Sequence, residues 1–104
     1  MGLDTRTATR LADARLAEWR RAGYDEWREL LDDREVRHTV ADDGNRYTVV
    51  SHTLDDGDGR LRMTVAVDDG GWSVFAPLVR DDIMNADGTF VASLRQPLRS
   101  TPFQ

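Results

Sequence analysis

Aspartate pairs at 42/43, 55/56, 68/69 and 81/82 divide the later part of the chain at a constant spacing of 13 residues. Between them, apolar and polar residues alternate. A strand of about eight residues plus a turn of about five fills such a period, so the spacing predicts a β-meander rather than an ancestral repeat. Asp43-Gly44 and Asp69-Gly70 read as two-residue type I′ hairpin turns, in which both central residues need φ > 0, whereas 55–59 reads as a longer loop. Centred on these turns, Val40 stands opposite Tyr47, Leu54 opposite Arg60 and Val67 opposite Trp72. The same register gives one inward face. It holds Val36, His38 and Val40; Tyr47, Val49, Ser51 and Thr53; Leu61, Met63, Val65 and Val67; and Trp72, Val74, Ala76 and Leu78. A slip of one residue would turn any of these sets outward.

Upstream the period changes. Asp4 and Thr5 are candidate N-caps for a stretch with Ala8, Ala12, Leu16 and Trp19 on one side, and the apolar stripe resumes at Trp27, Leu30 and Leu31. Gly23 costs about 1 kcal/mol inside a helix, which favours a break there and a second short helix after it; a continuous helix to about residue 33 is the other reading. The fold class follows: α+β, an N-terminal helix or broken helix pair packed on one face of a four-stranded antiparallel meander. Thr89-Phe90-Val91 is the candidate for a fifth strand or a hook beneath the helix.

A chain of 104 residues, 39% of them apolar, makes a single domain; we place it at 1–93 and read 94–104, with Pro97 and Pro102, as a mobile tail. The absence of Cys excludes disulfides, thiolate metal sites and Cys nucleophiles. No apolar run reaches the ~18 residues of a membrane helix, and the amino terminus lacks a signal-peptide core, so the expected compartment is the cytoplasm, with no membrane partner. The net charge of -5 speaks against binding duplex DNA. All 14 cationic residues are Arg, a composition that first of all reflects coding bias.

The four strands, read at 36–41, 46–54, 60–67 and 72–79, contain no Asp or Glu. Their outward parity collects Arg37, Arg46, Arg60 and Arg62 with Val50, His52 and Phe75, and this is the candidate binding face. A single-stranded nucleic acid or other anionic ligand would find cations and one stacking ring there. In a second reading the face is an ordinary half-solvated sheet surface. In a third, Val50, Leu54, Phe75, Pro77 and Val79 form an apolar patch for a homodimer. Asp56-Gly57-Asp58-Gly59 resembles the start of a calcium loop but lacks its ligand spacing and terminal Glu, and turn chemistry accounts for it. Ser51 and His52 point to opposite faces and cannot form a nucleophile and base, and His38 falls on the inward face. No catalytic, cofactor-binding or metal-ligating residue is assigned, and no cofactor is expected.

The stretch Asp68-Asp69-Gly70-Gly71-Trp72-Ser73-Val74-Phe75-Ala76-Pro77-Leu78, followed by Asp82-Ile83 and Asp87-Gly88-Thr89-Phe90-Val91, resembles a group of short uncharacterised prokaryotic α+β proteins. The resemblance covers 24–91 and implies the same fold; with no activity assigned to the group, it implies no functional residue. The sequence thus reads as a protein-interaction or binding module that is not an enzyme, whose partner is either an unknown protein or a second copy, the latter meeting it at the open sheet face or a sheet edge. Binding of single-stranded nucleic acid or another anionic ligand is the alternative.

Overall fold

A computed structural model describes residues 3–71 and 77–91. Helix α1 (Thr5–Trp19) and the short α2 (Tyr24–Arg28) precede β1 (Glu35–Val40), β2 (Arg46–Gly57), β3 (Arg60–Asp68) and β4 (Leu78–Met84). The strands form one antiparallel sheet in the order β1-β2-β3-β4, with both helices on one side. The expected α+β meander is therefore present.

Local chemistry fixes the helix ends. Asp4 caps α1, its carboxylate accepting from the Thr7 amide at 3.3 Å and the Thr7 hydroxyl at 2.8 Å. The chain breaks at Gly23, which is the N-cap of α2, and Glu26 returns to accept from the Gly23 amide at 2.9 Å. Ala8, Ala12 and Leu16 of α1 then bury themselves against Val49, Met63, Val65 and Val67. Trp27, fully buried, closes one end of this core against Phe90 at 5.8 Å between ring centroids. Its Nε1 donates to the Trp19 carbonyl at 2.9 Å, and Trp19 Nε1 donates to Ser51 Oγ at 3.0 Å. The inward sets of β2 and β3 are those expected from the alternation.

Strand β1 is turned over relative to the sequence-based register. Thr39, not Val40, pairs with Tyr47, and Arg37 pairs with Val49. The cause is the first turn. Ala41 and Asn45 close it, so the loop holds three residues, Asp42, Asp43 and Gly44, of which only Gly44 has positive φ, at 82°. A three-residue loop ending in a left-handed Gly is the next most common hairpin after type I′, and its extra residue reverses the parity of one strand. Glu35, Arg37 and Thr39 now face the helix side, and Val36, His38 and Val40 face away.

The second turn differs in the opposite sense. Asp58 (φ 54°) and Gly59 (φ 80°) both lie in the left-handed region, so this is the two-residue turn, with an irregularity between Asp55 and Gly57. Strand β2 accordingly runs to Gly57, and Val49 pairs with Val67 rather than Val65; a shift of two residues leaves the faces unchanged.

On the far edge of β3 stands Leu78–Met84, with Val67 opposite Leu78 and Met63 opposite Asp82. The expected pairing of Val67 with Trp72 is thereby corrected; Trp72, Val74, Phe75 and Ala76 themselves, like the tail at 94–104, lie outside the described residues. Asp81 and Asp82, read from sequence as a turn, are strand residues because each has a cation. Arg62 Nη1 reaches Asp81 Oδ2 at 2.6 Å, and Arg20 grips the buried Asp82 through two hydrogen bonds of 2.9 and 3.0 Å. Beyond β4, Asn85 and Thr89 close a second three-residue loop ending in left-handed Gly88, and Phe90 bridges back to Met84. The candidate fifth strand is this short hook.

A pH dependence follows from the first hairpin. Asp43 accepts from the Tyr47 hydroxyl at 2.6 Å and the Asn45 amide at 2.9 Å, which holds its carboxyl below the ordinary 3.8; the same bond lifts Tyr47 above 10.0. The contribution of Asp43 is complete above about pH 3.8 and is lost as pH falls through its folded value. That of Tyr47 is complete below pH 10.0 and is lost as pH rises towards its folded value. Urea midpoints of Tyr47→Phe should therefore fall less steeply than those of the parent at both extremes.

Candidate functional site

The parity of the strands builds two unlike faces. The inner one is the core. On the outer one, the pairings Val36 with Val50, Val50 with Ala66 and Ala66 with Val79 line up one apolar residue from each strand in a single row across the sheet. Val36 is 46% exposed and Val79 51%, with Leu54 (46%) and Val40 (63%) further along the same face. Among the described residues, no element covers it.

The rows on either side are polar. His38, Thr48 and Asp68 form one, with Thr48 Oγ1 and His38 Nδ1 at 3.3 Å. His52, Thr64 and Asp81 form the other, and Leu54, Arg62 and Ile83 the next. Arg62 is held by Asp81 at 2.6 Å and Asp56 at 3.0 Å; these bonds, Asp81's first, raise its pKa above the ordinary value against the opposing effect of burial. Arg60 contacts Asp56 at 3.5 Å and Asp58 at 3.7 Å.

The predicted face is thus only partly assembled. Arg46, Val50, His52, Arg60 and Arg62 share it. Arg37 does not: the reversed parity of β1 carries it to the helix side, where it lies 3.4 Å from Glu35 and 3.6 Å from Glu18. Phe75 is outside the described residues. Nor is the face free of acids, since Asp56, Asp68 and Asp81 lie on it within strands. His38, expected inward, points outward, and sequence reasoning missed Val36 for the same reason. Its signal was present in the loop length, which an Asp-Asp-Gly tripeptide leaves open between two and three residues.

Two other features bear on chemistry. Ser51 is buried and accepts from Trp19 while His52 faces the other way, so the pair is separated by the sheet, as expected. Asp43, Asp55, Asp68, Asp69 and Asp87 each accept from a backbone amide two residues on, at 2.8 to 3.0 Å, which is the turn chemistry read from sequence. A groove of about 630 Å³ runs between Leu31–Arg34 and His52–Asp55, where Leu31 bridges to Thr53 and Asp32 adopts φ 64°. Among the described residues no helix is long and apolar enough to cross a membrane. No family model, curated protein or solved structure matches this chain.

Proposed function

We propose that this chain is a protein-interaction module rather than an enzyme, and that it docks a protein surface bearing an apolar strip on the outer face of its sheet. The observation that carries this is the row Val36–Val50–Ala66–Val79. In β1, an edge strand with room for charge on either side, the apolar residues point away from the helices and the charged ones towards them. A strand whose outer face met only water would gain nothing from that arrangement, because exposed apolar area is about 25 cal/mol per Å² less favourable than buried area.

Charge supports the same reading. Arg60 and Arg62 already have carboxylate partners, so a phosphate chain would have to displace acids to reach them, and counterion release, the main driving force of nucleic-acid binding, would be small. A fluorescent oligothymidine at low salt should give no change in anisotropy with the protein; saturable binding that weakens steeply with salt would reverse the preference.

The docking reading is tested by placing a photoreactive amino acid at Val50 or Val79 of the full chain, with Glu29, the C-cap of α2, as control, and irradiating cells that express it. Protein adducts are expected from the sheet positions and not from Glu29. No adduct from either sheet position, to this chain or another, would end the reading.

A further inference from the structure

Resting on that reading, we infer that the occupant of the outer face is a second copy of this chain, the two sheets packing face to face. The arrangement of rows carries the inference. A two-fold axis running along the strands between β2 and β3 keeps every row in place while exchanging β1 with β4 and β2 with β3. Val50 then meets Ala66 of the second copy, large against small, and Val36 meets Val79. In the flanking rows Thr48 meets Asp68 and His52 meets Thr64; in the next Leu54 meets Arg62, and at the far end Gly57 meets Arg60. No acid opposes an acid along β2 and β3. A patch that is apolar in the middle, polar at its flanks and matched to its own reversal suits an isologous contact.

Area sets the strength. At about 3.4 Å by 4.8 Å per strand residue, the four strands present about 550 Å² of outer face, so two copies would hide about 1,100 Å². That clears the ~1,000 Å² of a specific interface but not the ~1,600 Å² of a standard one, and no tryptophan or tyrosine anchors the row. The expected product is a reversible dimer with Kd on the order of micromolar.

Sedimentation equilibrium of the full chain from micromolar to millimolar concentration tests this. A monomer–dimer equilibrium insensitive to salt is expected, with Val50→Asp and Val79→Asp each raising Kd about a hundredfold or more by placing a charge in the dry row. Val79→Thr, close to isosteric at a half-exposed position, should weaken the dimer by a smaller factor and leave the far-UV spectrum unchanged, which separates loss of contact from loss of fold. A chain that stays monomeric at millimolar concentration overturns the inference. So does a dimer indifferent to all three substitutions, which would be paired along the β1 edge. In the first case adducts from Val50 to a different protein would leave the docking reading standing; their absence would sink both.

Discussion

Trp27→Ala should remove about 3–5 kcal/mol of stability. Among the described residues Trp27 is the largest fully buried side chain, although α2 contributes only five residues. Its ring packs on Phe90 of the carboxyl-terminal hook, and its Nε1 holds the last turn of α1 through the Trp19 carbonyl. Truncation therefore opens a cavity where three segments meet and removes one of two donors to the Trp19 carbonyl, which keeps the Ala22 amide at 3.0 Å. A domain of this size has about 5–15 kcal/mol in all, so the variant should be partly unfolded at 37 °C. Urea unfolding followed by near-ultraviolet circular dichroism would measure it. Trp27→Phe keeps most of the volume but not the donor and should cost about 1–3 kcal/mol; equal losses for the two variants would mean that the hydrogen bond, not the cavity, dominates.

The second large effect is expected at Arg15, a buried cation one turn before the C-terminal end of α1. Its guanidinium reaches Glu35 of β1 at 2.6 Å and Glu18 at 2.7 Å, and lies 4.4 Å over the Trp19 ring. Arg37 contacts the same two glutamates, so two cations and two acids join α1 to the edge strand. Arg15→Ala should cost about 2–3 kcal/mol. The figure is below the full penalty for breaking a buried pair because Glu18 and Glu35 are exposed enough to rehydrate. Arg15→Met, which keeps the stem on Trp19, should cost about half as much. A double-mutant cycle with Glu35→Gln should give a coupling of about 1 kcal/mol; additivity would show that Arg15 acts by packing alone.

These two sites also mark how far the sequence could be read. The Asp4 cap, the break at Gly23 and the inward sets of β2 and β3 depend on neighbours in sequence or on a period of two, and each is visible in the residues themselves. The strand status of Asp81 and Asp82 is not visible, because their cations lie 19 and 62 residues away. Paired in space, an aspartate can sit in a strand; unpaired in sequence, it reads as a turn. The same limitation produced a sheet face that looked free of acids. Five of the seven candidate residues share the outer face, but the apolar row that defines it emerged only when β1 was turned over.

The loop of Asp42, Asp43 and Gly44 therefore sets more than a register. Substitutions along β1 adjust one contact at a time, whereas deleting one residue from this loop, if the hairpin closed as a two-residue turn, would exchange both sides of the strand at once. Glu35 and Arg37 would be turned to the outer face, and Val36 and Val40 to the helices. Lineages that gain or lose a residue at this tip should differ in what they bind while keeping the same core, and length variation at the first hairpin is where such divergence would be recorded.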